Sequence, residues 1–269
     1  MSPSNSLQST STLFWILRIG AAMEFVGHGM VGLSHPPAWA AYFGVVGFHE
    51  STAFGLMPVV GAVDVLLGIA VLLYPCRALA GYMALWGLWT ALLRPLSGEP
   101  VWEAVERAGN YGAPLALCFL FATGGVRAWL ASGPLESLTK TQVSLIKSIL
   151  IWTTALLLLG HGALGALVQK KLLQMHYASI GLPGDVMVGW IGWFEIILAI
   201  AVVLKPLRSL LIFVVIWKLA TELLSPVAGS SMWVFIEHGG SYVAPLALIF
   251  MDRVMGSRTE DDARLQAAA

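Results

Sequence analysis

The residues ERAGNYGAPLAL at 106–117 return as EHGGSYVAPLAL at 237–248. Carried outward, the same offset of 131 aligns 61–117 with 192–248 without a gap, and 25 of those 57 pairs are identical. Shared greasiness would match Leu with Leu. It would not match Pro75 with Pro206, Trp86 with Trp217, Pro95 with Pro226, Trp102 with Trp233 and Tyr111 with Tyr242. Further upstream, at an offset of 133, the GHG of 27–29 meets the GHG of 160–162. The chain reads as an internal duplication, with one unit over 1–135, a second over 136–256, and a polar tail at 257–269.

Composition says what solvent the duplicated unit meets. Of the 269 residues, 58% are hydrophobic and 11% charged, with a mean hydropathy of +0.79. A soluble domain carries roughly 25% charged residues, because its surface faces water. Here the charges gather between long apolar runs, the pattern expected where lipid is the solvent. Acidic and basic residues balance at 15 each, and no basic run is present, which argues against nucleic acid as a partner. Cys76 and Cys118 are the two cysteines, and neither sits in a CxxC. They read as inert apolar residues rather than as a disulfide framework, zinc site or thiol-redox centre.

A span needs roughly 20 apolar residues to cross the hydrocarbon core. Coarse boundaries fall at 13–33, 53–74, 79–93 and 111–129 in the first unit, and at 148–168, 186–204, 209–224 and 242–254 in the second. The expected fold is all-α, a polytopic bundle of about eight transmembrane helices in two four-helix repeats. Pro75, Pro95, Pro206 and Pro226 are expected just past span ends, where a missing N–H is harmless. The apolar segments 39–48 and 173–182 are too short to cross and read as interfacial helices or re-entrant turns. The first apolar run, preceded by MSPSNSLQSTST, reads as an uncleaved span.

Basic residues set the orientation. One side receives Arg77, Arg127, Lys140, Lys147, Lys205, Arg208, Arg253, Arg258 and Arg264; the other receives Arg94, Arg107, Lys170 and Lys171. Both termini are therefore expected in the cytoplasm, with a bacterial inner membrane as the location. Four spans per unit is an even number, so the two copies should insert in parallel, related by an axis along the membrane normal.

Ionisable groups inside spans are costly and so are candidates for function. Three recur in both copies: His28/His161, Asp64/Glu195 and Glu106/Glu237. Thr90/Thr221 and Tyr111/Tyr242 share the same outer half. Each copy could gather a His and two carboxylates in a pocket open to the outer face. Such a set could bind a metal through His28 or His161, relay protons, or hold a polar head group such as a quinone carbonyl. The plain structural alternative is that the histidines bond a neighbouring helix and the carboxylates cap helix ends. Other charges break the symmetry. Glu24, one turn before His28, faces Leu157 in the second copy, while Lys218 and Glu222 replace Gly87 and Ala91. Lys218 and Glu222 are spaced for a mutually neutralised pair, and Glu24 could instead reach Lys218.

The stretches EFVGHGMVGL, PAWAAYFGVVG and GNYGAPLAL resemble the DoxX-like membrane family, four-span proteins grouped with the DoxD-type subunit of thiosulfate:quinone oxidoreductase. The resemblance covers both halves, more clearly the first, and this chain would be a tandem double. It implies a membrane subunit linked to redox or quinone chemistry, and of the family's pattern only the His of GHG carries over, at His28 and His161. No flavin or nicotinamide fingerprint is present, so a catalytic role would call for a membrane or soluble redox partner protein. Besides this redox-associated reading, a proton-coupled small-solute transporter and a non-catalytic assembly or chaperone subunit also fit the residues.

Overall fold

The structure, a computed structural model, describes residues 4–135 and 138–251. The tail at 257–269 and the end of the last predicted span lie outside the described residues. Among the described residues the chain is all-helical, with no strand. In the first half α1 (Ser4–Leu33) leads through a 3-10 turn at Pro37–Trp39 into α2 (Ala40–Val45). There follow α3 (Glu50–Leu73), α4 (Arg77–Leu96), α5 (Trp102–Glu106), α6 (Ala108–Cys118) and α7 (Val126–Leu130). The second half holds α8 (Lys140–Ala166), α9 (Lys171–Ala178), α10 (Gly184–Leu204), α11 (Arg208–Val227), α12 (Met232–Glu237) and α13 at 239–251.

Among the described residues six stretches are long and apolar enough to cross a membrane: Thr10–Leu33, Glu50–Leu73, Lys140–Ala166, Gly184–Leu204, Arg208–Val227 and Met232–Met251. The protein is an integral membrane protein by this composition. Its outer surface agrees: Leu66, Leu85, Trp190, Ile197 and Ile216 are exposed, while Asp64, Glu195 and Lys218 are buried. Lipid reverses the usual economy of a globule, leaving apolar side chains outside and ionisable ones paired within.

Two predicted spans differ in the structure. α4 has 20 residues but is not among the six apolar crossings: Arg77 and Arg94 near its ends, with Tyr82, Trp86 and Trp89 between them, lower its mean hydropathy. The predicted span 111–129 is not one helix. α6 has only 11 residues, and turns and bends occupy 119–125 before α7 begins. The helix has already stopped at Cys118, and further on Gly124 adopts φ 150°, a conformation that residues other than glycine avoid. Pro75 and Pro206 follow helix ends as expected, whereas Pro95 and Pro226 sit inside the last turn of α4 and α11. There each proline costs one hydrogen bond in a turn that is already ending. The two short apolar segments are the small helices α2 and α9, as their length required.

Glycine sets the helix contacts. A Cβ on Gly61 would lie 2.6 Å from the carbonyl oxygen of Gly29, and one on Gly192 would lie 2.5 Å from that of Gly162. α1 therefore meets α3, and α8 meets α10, at backbone distance. The halves themselves touch at Gly109 and Gly240, where a Cβ on either would come within 2.6–2.8 Å of the other's backbone.

The short helices before the final span of each half are exchanged between halves. α12 lies on α1 at Gly27, where a Cβ would overlap the backbone nitrogen of Glu237. α5 lies on α8 at Gly160 in the same way, against the backbone of Glu106. The buried core runs through both halves without interruption, from Leu17 and Phe121 to Leu150 and Ala244.

Candidate functional site

Each GHG histidine meets the carboxylate one helix away. His28 on α1 lies with Nδ1 2.8 Å from Oδ2 of Asp64 on α3. The other oxygen, Oδ1, accepts the indole N–H of Trp86 on α4 at 2.9 Å. In the second half His161 Nδ1 bonds Glu195 Oε2, and Trp217 Nε1 donates to Glu195 Oε1 at 2.9 Å. The glycines beside each histidine allow the helices to approach closely enough for these short side chains to meet. A carboxylate on Nδ1 fixes the ring and leaves Nε2 for other partners.

The third repeated carboxylate comes from the opposite half. The expectation that each copy gathers its own His and two carboxylates is corrected by the exchange of α5 and α12. Glu237 stands over the His28 side and accepts from Arg107 Nη1 at 2.9 Å. Glu106 stands over the His161 side, with Lys170, His161, His238 and Arg107 around it. Burial works against ionisation of Glu106, but the basic side chains around it, Lys170 foremost, outweigh it and hold its carboxyl at about 2.

The two sites have diverged in their contents. Beside His28 lies a cavity of ≈240 Å³ walled by rings, among them Trp39, Tyr42, Phe43, Trp86 and Trp89. His28 stacks on Trp39 with centroids 4.6 Å apart. Arg94 and Arg107 reach the rim, yet both are neutralised: Arg94 Nη1 lies 3.2 Å from Glu99, and Arg107 holds Glu237. Tyr42 closes the same rim by donating to Glu99. Burial, with the Glu99 carboxylate, pushes its hydroxyl up to about 12, against the pull of Arg94. Val46, Phe48 and Trp89 line the mouth and are exposed on the apolar surface.

The second site is filled by charge. Lys218 Nζ lies 2.8 Å from Glu222 Oε1, the pairing their spacing suggested, and His238 Nδ1 lies 2.8 Å from Glu222 Oε2. The equivalents in the first half are Gly87 and Ala91, and at Gly87 the α6 backbone comes close enough that a Cβ would lie 2.3 Å from the carbonyl oxygen of Asn110. Lys170 joins this side of the bundle to Glu103 at 2.6 Å. Glu24 is not placed with Lys218: its charged neighbours are Glu237, Arg107 and Asp64.

Of the other candidates, Thr90 lines the cavity, and Thr221 bonds the carbonyl of Lys218 within α11. Tyr111 packs against the main core, and Tyr242 spends its hydroxyl on the carbonyl of Phe235. Both tyrosines serve packing. Among the described residues no three His, Cys, Asp or Glu side chains are grouped to hold a metal ion. His28 and His161 each give Nδ1 to a single carboxylate, whose other oxygen is taken by an indole. That donor set does not suit a metal.

Several participants were not singled out from sequence. Trp86 and Trp217 stand among the identities shared by the two copies, which is the sequence signal they carry. Trp39, Arg107, Glu103 and His238 carried no such mark, because their partners come from distant helices. Comparison with protein-family models, with curated proteins and with solved structures finds no match in any of the three. The resemblance to the DoxX-like family therefore rests on the residues quoted above.

Proposed function

We propose that this protein binds a small neutral ring molecule bearing a carbonyl, the head group of a quinone being the natural case, in the cavity beside His28. One observation carries the reading: a ring-walled cavity that ends on an oriented imidazole–carboxylate pair. An apolar cavity of about 150 Å³ accommodates benzene, so ≈240 Å³ suits a substituted ring rather than a larger ligand. Aromatic walls offer stacking faces, and the His28 ring, held by Asp64 at Nδ1, donates from Nε2 to a carbonyl oxygen in its imidazolium form, in which both ring nitrogens carry protons. Both rim guanidinium groups already hold carboxylates, which favours a neutral ligand over an anion. The apolar mouth would let a tail remain in lipid while the head group enters.

In this reading the chain crosses the membrane eight times as two parallel four-helix units. α4 and α6–α7 complete the first unit beside the six apolar crossings, both termini face the cytoplasm, and the location is a bacterial inner membrane. The resemblance to DoxX-like proteins supports a redox-associated role, with electrons supplied by a partner protein. The filled second site serves the structure of the bundle.

The test is quenching of tryptophan fluorescence by menadione in the nanodisc-reconstituted protein, since Trp39, Trp86 and Trp89 line the cavity. Saturable quenching is expected, weakened at least tenfold by His28→Leu and unchanged by His161→Leu. Equal binding by wild type and His28→Leu would overturn the proposal.

A further inference from the structure

The site described above leaves one buried acid without a task. Glu24 lies on α1 one turn before His28, 2% exposed, and its Oε2 has no hydrogen-bond partner. Beside it is a void of ≈10 Å³, whose walls include Glu24, His28, Trp86, Thr90 and Asn110. This is about the smallest space that admits one water, and its walls offer the several polar partners that such a water needs. His28, Trp86, Thr90 and Asn110 also line the main cavity. The void is therefore a small annex between Glu24 and the ligand space.

Every charged group facing Glu24 is already engaged or repels it. On its own helix, His28 is bonded to Asp64. Asp64 on α3 and Glu237 on α12 are acidic neighbours, and Arg107, between α5 and α6, is held by Glu237. A bare carboxylate would find no spare cation there, and burying an unpaired charge is costly. A carboxylic acid would instead bring an O–H donor into the annex.

We propose that Glu24 acts as a protonated acid and donates, through one bridging water in this annex, a hydrogen bond to the oxygen of the ligand in the His28 cavity. Glu24 is then a positioning residue that selects a ring carrying a deep acceptor oxygen over a plain hydrocarbon of the same shape. The second copy has Leu157 at this position and its space filled by charge, so this acid belongs to the first site alone. The inference rests on the cavity reading above.

The experiment measures menadione and methylnaphthalene binding to reconstituted wild type, Glu24→Gln and Glu24→Leu across a pH series, by tryptophan quenching. Menadione carries two carbonyls and methylnaphthalene none. Expected are an about tenfold loss of menadione affinity in Glu24→Leu, equivalent to about 1.4 kcal/mol, with methylnaphthalene unaffected. Glu24→Gln keeps an N–H donor, so it should bind menadione within about threefold of wild type. Its affinity should stay level at high pH, where that of wild type declines. Glu24→Leu binding menadione as wild type does, or identical pH profiles for wild type and Glu24→Gln, would overturn the role of Glu24 while leaving the cavity reading intact. Wild type binding neither probe would overturn both.

Discussion

Neutralising Arg107 probes the exchange of short helices between the two halves. Arg107 Nη1 lies 2.9 Å from Glu237 Oε1, with side chains 13% and 5% exposed. Opposite charges about 4 Å apart attract by about 4 kcal/mol at an effective dielectric constant of about 20. Removing one partner of a buried pair strands the other and costs about 3–5 kcal/mol. Removing both strands neither. Arg107→Gln and Glu237→Gln should therefore each destabilise by about 3 kcal/mol or more. The double variant should lose at least about 2 kcal/mol less than the sum of the two. Glu106 and Glu103 also face Arg107, so Arg107→Gln should be the worse single change. The assay is unfolding of the detergent-solubilised protein followed by tryptophan fluorescence. At about 2–4 °C per kcal/mol for a chain of this size, each single variant should melt about 6–12 °C early. Strictly additive losses would mean that the two side chains are uncoupled, and the exchanged arrangement of α5 and α12 would then be wrong.

Two further outcomes follow from the packing and the charges. Gly61→Leu should be worse than Gly68→Leu in thermal unfolding: the new Cβ at 61 meets the Gly29 carbonyl at 2.6 Å, a backbone atom that cannot step aside. At 68 it meets Val26 Cγ2 at 2.7 Å, a side-chain atom, and the nearest backbone atoms, Ala22 O and Val26 N, lie further off at 3.1 Å. Overpacking costs about 1–3 kcal/mol, and an unchanged melting temperature in both variants would count against close packing of α1 on α3. Glu106, held at about 2 against an ordinary 4.5, contributes stability that is present above pH 4.5 and lost as the pH falls toward 2. The melting temperature should drop across that window in wild type and drop less in Glu106→Gln; parallel acid profiles would refute it.

The sequence alone determined that the chain is helical and apolar, and that it is duplicated. These are properties of local pattern: long apolar runs need lipid, and a repeat of Pro, Trp and Tyr at one offset needs no third dimension to be seen. It also marked His28, His161, Asp64, Glu195, Glu106 and Glu237, because ionisable residues retained in both copies of an apolar unit stand out. The tertiary structure decided how these are combined. Glu237 serves the His28 side and Glu106 the His161 side, because α5 and α12 each cross to a glycine on the opposite half, and no local signal specifies such a crossing. Likewise, the His28 side keeps a ring-walled cavity while Lys218 and Glu222 pair inside the other half. Space inside a bundle is set by what several helices leave empty together, which no single stretch of sequence encodes.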